Sequence, residues 1–326
     1  MKILITGVAG LIGSNLLKEL LDREDEVIGI DNLSQGSLEN IQPFLEYSNF
    51  HFIQDDILSL DHLVKLSKDV DVIVHLASYK IPRYSNSLKT LEINSRGTEN
   101  VLEAARLNDC KVVFASTDDV YGKNEDLPLV EEGALVIGES KSNRWSDAVS
   151  KIYAEHLCFA YQEKYQLPIA IIRYFGVYGP NQRRDWWGGP IPVFVESSLQ
   201  NKAMPIHGDG AQTRSYVFVS DAVTGTMQIL ESPYAHGEVV NIGSDTEISI
   251  INLAYLIWRL SKNKEKPKLD FIPYSDFSRQ YEDVRHRRPD ISKVKYLLAY
   301  QPKVNLEEGL ERTIRWQRNQ LFRKRK

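Results

Sequence analysis

The chain has 326 residues, of which 42% are hydrophobic and 26% are charged, a composition typical of a soluble globular protein. The net charge of −4 provides no broad cationic field that would favour nucleic acid or acidic membranes. No apolar run reaches the roughly 18 residues of a membrane span, and no signal-peptide cleavage site follows the N-terminus. The two cysteines, Cys110 and Cys158, match no metal-ligand spacing. We therefore expect a cytoplasmic protein that binds neither nucleic acid nor membranes and has no metal site.

Apolar strands alternate with amphipathic helices along the first half of the chain. Strands are predicted at Lys2–Thr6, Glu26–Ile30, Phe50–Ile53, Val70–Leu76, Lys111–Ala115 and Ile169–Arg173. Helices are predicted at Leu11–Leu21, Leu91–Leu107 and Asp147–Tyr165. Continuous apolar strands are typical of a parallel sheet that is covered on both faces. The alternation therefore predicts an α/β protein with a doubly wound parallel sheet.

The second half of the chain begins with a different composition. The segment from Gly176 to Arg214 is rich in glycine, proline and tryptophan, and we interpret it as loops with a short helix near Val193–Gln200. Strand and helix patterns return at Tyr216–Leu230, Glu238–Ile242, Ile248–Leu260 and Leu306–Gln320. We predict a first domain over residues 1–175, to which residues 216–243 return, and a smaller substrate-binding lobe formed mainly by residues 176–326.

A glycine turn, Gly7-x-x-Gly10-x-x-Gly13, joins the first strand to the first helix. Such glycines allow a tight turn and let the backbone approach a pyrophosphate, whose charge then lies at the helix N-terminus. Asp31 ends the second strand, 18 residues after Gly13, where a carboxylate binds ribose hydroxyls and repels a 2′-phosphate. The pattern favours NAD over NADP. The simpler alternatives are that the glycines only form a strand–helix turn and that Asp31 only forms a turn.

Polar residues follow the strand predicted at Lys111–Ala115. Thr117 lies at the carboxyl end of that strand, where open α/β sheets bind ligands. Asp118 and Asp119 come next, and two interpretations remain equally open: they act on a substrate, or they cap a turn in a polar loop.

Asp147 and Lys151 are four residues apart and share one face of a predicted helix. Pairs with this spacing are commonly surface salt bridges worth roughly 0.2–0.5 kcal/mol. An aspartate ordinarily titrates near about 3.9, and a neighbouring lysine is expected to lower that pKa further unless burial opposes it. Such a carboxylate is a weak base for an alcohol proton, since each pKa unit of mismatch costs up to about 1.4 kcal/mol.

These segments together resemble the extended short-chain dehydrogenase/reductase family, which includes nucleotide-sugar epimerases and dehydratases. The resemblance runs from Thr6 to about Trp316 and implies a Rossmann-type sheet, NAD and a smaller C-terminal substrate-binding lobe. The family performs its hydride chemistry through Tyr-x-x-x-Lys, and here Asp147 stands in place of the tyrosine. The resemblance implies catalytic roles for Thr117, Asp147, Lys151, Asp118 and Asp119.

The resemblance also implies binding residues. The cofactor contacts it implies are Gly7, Gly10, Leu11, Ile12, Gly13, Asp31, Asn32, Asp55, Asp56, Ile57, Leu76, Ala77 and Lys151. The substrate contacts it implies are Lys80, Thr117, Gly176, Arg214 and Arg288. Gly176 departs from the family, which usually has a substrate-contacting asparagine there. Arg214 and Arg288 lie in segments that resemble diphosphate-binding loops, a role that suits guanidinium groups.

We predict an NAD-dependent nucleotide-sugar 4-epimerase that acts through a transient 4-keto sugar, with a UDP-sugar favoured. One alternative is a 4,6-dehydratase, or a related dehydratase or decarboxylase, that uses Asp118 and Asp119. The other is a nucleotide-sugar-binding protein with impaired catalysis, because Asp147 replaces the tyrosine. The resemblance further implies a homodimer that pairs helices near Leu91–Leu107 and Asp147–Tyr165.

Overall fold

Residues 1–80, 86–276 and 283–323 are described by the computed structural model of the chain. The strands are β1 (Lys2–Thr6), β2 (Glu26–Ile30), β3 (Phe50–Ile53), β4 (Val72–His75), β5 (Lys111–Thr117), β6 (Ile169–Tyr174), β7 (Val177–Tyr178), β8 (Met204–His207), β9 (Thr213–Ser215), β10 (Val217–Phe218), β11 (Val239–Ile242), β12 (Glu247–Ser249) and β13 (Leu269–Ile272). The helices are α1 (Leu11–Asp22), α2 (Leu38–Ile41), α3 (Leu60–Leu66), α4 (Ser87–Asn108), α5 (Ser146–Tyr165), α6 (Pro190–Leu199), α7 (Val219–Glu231), α8 (Ile250–Leu260), α9 (Ser292–Leu298) and α10 (Leu306–Arg323).

Seven parallel strands form the central sheet in the spatial order β3-β2-β1-β4-β5-β6-β11. The order reverses between β1 and β4, where Thr6 lies beside His75. This confirms the predicted doubly wound sheet. Open sheets of this kind bind ligands in the crevice at the carboxyl ends of the strands, next to the reversal point. Thr117 lies on the same edge because it is the last residue of β5.

Helices cover both faces of the central sheet. On one face α1 lies beside α7, and on the other α3, α4 and α5 pack side by side. Leu16 and Leu17 of α1 belong to one core cluster, whereas Val101 and Leu102 of α4 belong to another. Every residue of β6 is buried. The continuous apolar strands of the sequence therefore reflect burial on both faces of the sheet.

A smaller group of elements lies beyond β6. Three two-stranded sheets occur there: β7 with β10 and β8 with β13 in parallel, and β9 with β12 in antiparallel orientation. Helix α6 packs against α8 and α10. The chain also returns to the central sheet, because β11 pairs with β6. None of the helices in the described ranges is long and apolar enough to cross a membrane.

Two predicted helices begin earlier than expected: the one near Val193–Gln200 begins at Pro190, and the other is α4. The helix predicted at Leu91–Leu107 begins at Ser87, because the side chain of Asn86 caps its N-terminus. The Asn86 carboxamide oxygen accepts hydrogen bonds from the backbone N–H groups of Leu88 at 2.9 Å and Lys89 at 3.4 Å. Asparagine is among the preferred residues at this position, so the cap was visible in the sequence even though the apolar periodicity begins later.

A buried ion pair fixes α5 against the central sheet. Arg173 of β6 donates through Nε and Nη2 to the two carboxylate oxygens of Glu155 of α5, at 3.0 and 2.7 Å. Ser116 of β5 donates to the same carboxylate at 2.5 Å, and Arg173 Nη1 donates to the carbonyl oxygen of Glu131 at 2.9 Å. The side chains of Arg173 and Glu155 are only 5% and 6% exposed. A bidentate pair with these additional partners joins β5, β6 and α5 below the site.

We expect Glu155→Ala to lower the free energy of unfolding by roughly 3–5 kcal/mol, because it leaves the buried Arg173 guanidinium without its carboxylate. Urea unfolding followed by circular dichroism measures the loss. Glu163→Ala, at an exposed position of the same helix, is the matched control and should change stability by less than about 0.5 kcal/mol. Similar small losses in both variants would contradict the anchoring role of Glu155.

Candidate functional site

A cavity of about 770 Å³ opens at the carboxyl ends of the central strands. Its walls come from the glycine turn, from the segments after β2, β3, β4 and β5, from α5 and from loops beyond β6. The predicted cofactor residues all line it: Gly7, Gly10, Leu11, Ile12, Gly13, Asp31, Asn32, Asp55, Asp56, Ile57, Leu76, Ala77 and Lys151. The predicted catalytic residues also line it: Thr117, Asp118, Asp119, Asp147 and Lys151.

The glycine turn lies directly against the segment that follows β4. Gly7 has a φ of +76°, and a Cβ atom there would lie 2.8 Å from the backbone nitrogen of Ala77. A Cβ atom on Gly13 would lie 2.3 Å from the carbonyl oxygen of Gly7. Gly10 precedes the first residue of α1, whose first backbone N–H groups have no partner within the helix. A backbone concavity at the positive end of a helix dipole suits the charge of a pyrophosphate.

Asp31 lies directly after β2 and beside the glycine turn. Its carboxylate accepts hydrogen bonds from the backbone N–H groups of Ala9 at 3.0 Å and Leu33 at 2.8 Å. Burial raises the pKa of Asp31, and the two backbone hydrogen bonds oppose that shift. Because a carboxylate has about four lone-pair positions, it can also accept hydrogen bonds from the hydroxyl groups of a ribose.

A second group of acidic residues follows β3 at the same end of the cavity. Asn32 donates through Nδ2 to Asp56 Oδ2 at 2.7 Å, which joins the segments after β2 and β3. Asp55 Oδ2 is hydrogen-bonded to His62 Nδ1, and Asp55 Oδ1 accepts from the backbone N–H of Asp56 at 2.7 Å. These contacts hold the loop that contains Ile57 against the cavity.

Asp147 lies in the first turn of α5 and is only 6% exposed. Asn94 of α4 donates through Nδ2 to Asp147 Oδ1 at 3.1 Å, and its Oδ1 accepts from the backbone N–H of Tyr79 at 2.8 Å. Lys151 is also buried, and its Nζ donates to the carbonyl oxygen of Ala115 at 2.8 Å. Among the described contacts no ion pair joins Asp147 to Lys151. This pair therefore does not form the surface salt bridge that is common at this spacing.

Burial controls the charge of both groups. It raises the pKa of Asp147 to about 6, because a buried carboxylate is poorly solvated, and the positive charge of Lys151 offsets only part of the shift. Burial therefore outweighs the lowering of the pKa that is expected from Lys151 alone. Burial also lowers the pKa of Lys151 to about 8, although the negative charge of Asp147 opposes the change. The two groups thus titrate on opposite sides of neutrality.

Two arginines hold Asp118 and Asp119, and neither had an assigned role in the sequence. Arg287 donates through Nη1 to Asp118 Oδ2 at 3.3 Å, and Arg144 donates through Nη2 to Asp119 Oδ1 at 2.6 Å. Thr117 donates to Asp118 Oδ1 at 3.2 Å. Burial opposes ionisation of Asp119, but the two arginines outweigh it and lower its pKa. Burial raises the pKa of Asp118, although Arg287 opposes the shift.

The arginine that lines the cavity is Arg287 and not the predicted Arg288. The Arg287 carbonyl accepts from the backbone N–H of Ser215, whereas the Arg288 carbonyl accepts from that of Leu129. Successive carbonyls thus point to opposite sides, as in an extended chain, and successive side chains also alternate. The other predicted arginine, Arg214, lines the cavity and forms an ion pair with Asp283 at 2.9 Å.

The remaining predicted substrate residues also lie along the cavity. Lys80 is exposed at its edge, and Gly176 forms part of its wall with a φ of +45°. Trp186 and Trp187 line the same side. Trp186 stacks on His207 with ring centroids 3.9 Å apart, and Trp187 packs edge-on against Tyr79 at 5.4 Å. The tryptophan segment is therefore both a packed loop and a wall of the cavity.

Comparison with known proteins identifies relatives along nearly the whole chain. The family model described as GDP-mannose 4,6 dehydratase matches residues 4–313. A UDP-N-acetyl-alpha-D-glucosaminuronate decarboxylase of Bacillus cytotoxicus is 36% identical over 316 residues, which cover 96% of each chain. UDP-glucuronic acid decarboxylase 1 of Danio rerio is 33% identical over 97% of this chain and 72% of its own length.

Solved structures agree with these sequence relatives. The UDP-glucuronic acid 4-epimerase from Bacillus cereus, in complex with UDP-glucuronic acid and NAD, has a TM-score of 0.88 and 33% identity, over 98% of this chain and 100% of that one. A dTDP-glucose 4,6-dehydratase from Bacillus anthracis in complex with NAD has a TM-score of 0.86 and 28% identity, over 98% and 97% of the two chains. The chain therefore belongs to the GDP-mannose 4,6-dehydratase-like family of NAD-dependent nucleotide-sugar epimerases, decarboxylases and dehydratases.

Proposed function

We propose that the chain is an NAD-dependent nucleotide-sugar 4-epimerase that acts on a UDP-sugar through a transient 4-keto sugar. The observation that carries the proposal is that Thr117, Asp147 and Lys151 line one cavity together with the glycine turn. A hydroxyl, a buried carboxylate and an ammonium group are thus available beside a dinucleotide-binding turn. The relatives from Bacillus cytotoxicus and Bacillus cereus are named for UDP-sugars, which supports a UDP-sugar as the substrate here.

The cofactor end of the cavity fits NAD. We infer that the pyrophosphate lies at the N-terminus of α1, beside a turn whose backbone is packed too closely to admit a Cβ atom on Gly7 or Gly13. Asp31 would accept hydrogen bonds from the adenosine ribose, and its charge would oppose the 2′-phosphate of NADP. When bound, NAD supplies reversible hydride transfer at C4 of the sugar.

Asp147 is the proposed general base. Thr117 would hold the C4 hydroxyl, while Asp147 takes its proton directly or through one water molecule. A general base works best when its pKa lies near the operating pH. Because burial raises the pKa of Asp147 from 3.8 to about 6, the mismatch with an alcohol proton falls by about 3 kcal/mol. This supports a working carboxylate at a position where the family uses a tyrosine.

The surroundings of Asp119 favour an epimerase over a dehydratase. Loss of a sugar hydroxyl as water needs a protonated acid that donates to the leaving oxygen. Arg144 and Arg287 instead favour the ionised form of Asp119, and Asp118 is engaged by Arg287 and Thr117. Asp119 is thereby less available as the acid of an elimination than its position after β5 suggests, whereas burial raises the pKa of Asp118 and leaves that residue as the candidate acid of a dehydratase.

A UDP-uronic acid decarboxylase is the second candidate function. The relatives from Bacillus cytotoxicus and Danio rerio carry this activity in their names. The reaction needs the same oxidation at C4, because a 4-keto uronic acid is a β-keto acid that loses carbon dioxide. It requires no proton transfer from Asp118 or Asp119 to a leaving hydroxyl group.

We also propose that the protein forms a homodimer through α4 and α5. Apolar side chains on these helices are exposed, among them Leu88 at 70%, Tyr153 at 48% and Val149 at 43%. Light scattering should give twice the chain mass for the wild type. Tyr153→Glu should give a monomer, because it places a charge in the apolar surface, whereas Tyr296→Glu, at an 88% exposed position of α9, should remain dimeric. A monomeric wild type would contradict the dimer.

The products formed from nucleotide sugars test the reaction. The purified protein is incubated with NAD and UDP-glucose, UDP-glucuronic acid, dTDP-glucose, GDP-mannose or a CDP-sugar, and the products are identified by NMR. We expect a C4 epimer of a UDP-sugar. Formation of a UDP-pentose and carbon dioxide would show that the chain is a decarboxylase and not an epimerase. A 4-keto-6-deoxy sugar would indicate a dehydratase. Binding without any product, with turnover restored by Asp147→Tyr, would overturn every enzymatic interpretation of the wild-type chain.

The pH dependence of turnover tests the base. We expect kcat/KM to fall about tenfold per pH unit below about pH 6, because the carboxylate of Asp147 becomes protonated there. Turnover should also fall above about pH 8, where Lys151 loses its charge. Asp147→Asn should lower kcat by about 10²–10⁴-fold above about pH 6, and the difference from the wild type should narrow as pH falls. An acidic limb near pH 4 in the wild type, or one that persists in Asp147→Asn, would contradict Asp147 as the base.

The same pKa shift has a consequence for stability. The Asp147 carboxyl has a higher pKa in the folded chain, about 6, than its ordinary value of 3.8, so the folded state binds the proton more tightly. Its contribution to stability is therefore present below about pH 4 and is lost as pH rises through about 6. In the absence of nucleotide, Asp147→Asn should have little effect near pH 4 and should stabilise the protein by up to about 3 kcal/mol above pH 7.

Urea unfolding between pH 4 and pH 8 measures this difference. The asparagine retains an oxygen that accepts from Asn94, so the substitution removes the charge and keeps the hydrogen bond. Asp270→Asn, at an exposed position of β13, is the control and should show no comparable rise with pH. A difference between wild type and Asp147→Asn that is constant with pH would show that burial does not raise the pKa of Asp147.

A further inference from the structure

The side chain of Asn40 joins two separate parts of the cavity wall. Its Nδ2 donates to the carbonyl oxygen of Ala9, in the glycine turn, at 2.9 Å and to that of Asn181, in the loop after β7, at 3.1 Å. A carboxamide nitrogen carries two hydrogens, so these two hydrogen bonds use its whole donor capacity. Asn40 therefore holds the glycine turn and the loop after β7 together, although the two segments are far apart in the chain.

Two further carboxamide groups fasten the same loop to α1. Asn15 Nδ2 donates to the carbonyl oxygen of Pro180 at 3.2 Å, and Asn181 Nδ2 donates to Ser14 Oγ at 3.1 Å. Asn181 has a φ of +71°, a left-handed conformation that asparagine adopts more readily than most residues. The beginning of the loop is therefore held on the first turns of α1, next to the expected position of the pyrophosphate.

The other end of the loop reaches both sides of the cavity mouth. Arg183 Nη1 donates to Gln35 Oε1, in the segment after β2, at 3.2 Å. Trp187 packs against Tyr79, in the segment after β4, with ring centroids 5.4 Å apart. All four residues line the cavity, and β2 and β4 lie on opposite sides of β1 in the central sheet. The loop therefore spans the crevice in which open α/β sheets bind a dinucleotide.

We propose that Asn40 is a positioning residue that holds residues 180–187 as a clasp across the dinucleotide crevice, so that NAD enters and leaves only when the clasp opens. Both N–H groups of the Asn40 carboxamide are bonded to protein carbonyls. Asn40 therefore acts on the cofactor through the backbone that it holds and not as a donor to it. The inference goes beyond the proposed function, because it concerns exchange of the cofactor and applies equally to an epimerase and a decarboxylase.

Limited digestion with trypsin tests the clasp without any turnover. Arg183 and Arg184 lie within it, so trypsin cleaves there when the loop leaves the cavity wall, and mass spectrometry of the fragments gives the rate. NAD should slow this cleavage in the wild type. In the absence of NAD, Asn40→Ala should be cleaved there about tenfold faster than the wild type, because two hydrogen bonds together shift an equilibrium by about that factor.

The dissociation rate of the cofactor is the second measurement. Protein loaded with NADH is mixed with excess ADP-ribose, and the loss of bound NADH fluorescence gives the rate. We expect Asn40→Ala to release NADH about tenfold faster than the wild type. Gln35→Ala removes only the hydrogen bond to Arg183 at the far end of the clasp and leaves α2 intact. It should increase both the cleavage and the release in the same direction.

Asn108→Ala is the matched control. Asn108 Nδ2 also donates to two backbone carbonyls, those of Val64 at 2.9 Å and Ala104 at 3.3 Å, but it does not line the cavity. The control should leave the cleavage within the clasp and the release of NADH unchanged. Faster release from Asn40→Ala with cleavage as slow as in the wild type would make Asn40 a direct contact of the cofactor and overturn the clasp. Cleavage of the wild type that NAD does not slow would also overturn it.

Discussion

The buried ion pair between Glu155 and Arg173 is the interaction on which the site depends. It joins α5 to β6 and, through Ser116, to β5. Asp147 and Lys151 precede Glu155 on α5 by eight and four residues, about two turns and one turn of the helix. The ion pair therefore fixes the part of α5 that follows both groups against the central sheet. Buried pairs of this kind do not by themselves indicate high stability, but loss of either partner leaves an uncompensated charge.

The central sheet could be predicted because its signal is local. The strands Lys2–Thr6, Glu26–Ile30 and Phe50–Ile53 were predicted to the residue, since parallel strands buried on both faces are continuous apolar runs between polar turns. The glycine turn was visible for a similar reason: three glycines at two equal spacings lie between one strand and one helix. By contrast, β8 and β13 have four residues each and pair across a long stretch of chain, so neither shows a period of its own.

The electrostatics of the site could not be predicted, because burial and long-range contacts determine them. The spacing of Asp147 and Lys151 correctly indicated a shared helix face, but it suggested an exposed pair and a lowered aspartate pKa. Burial reverses the direction of that shift. Arg144 and Arg287 meet at Asp119 although they are far apart in the chain. Whether Arg287 or Arg288 faces the cavity depends on the side of the extended segment on which each residue lies. The spacing of residues in the sequence does not reveal that side.

One chain of hydrogen bonds connects the proposed base to the glycine turn. Burial lowers the pKa of His75 to about 3, so its ring is neutral. Thr98 Oγ1 donates to the carbonyl oxygen of Asn94 at 2.7 Å, so it must accept from the Nε2–H of His75 at 3.1 Å. His75 Nδ1 then accepts from Thr6 Oγ1 at 2.7 Å, which in turn accepts from the backbone N–H of Ala77. The donor and acceptor at each step of this series of hydrogen bonds therefore follow from its two ends, the carbonyl oxygen of Asn94 and the backbone N–H of Ala77. Asn94, which holds the carboxylate of Asp147, and Ala77, which lies against the glycine turn, are therefore positioned by the same buried residues.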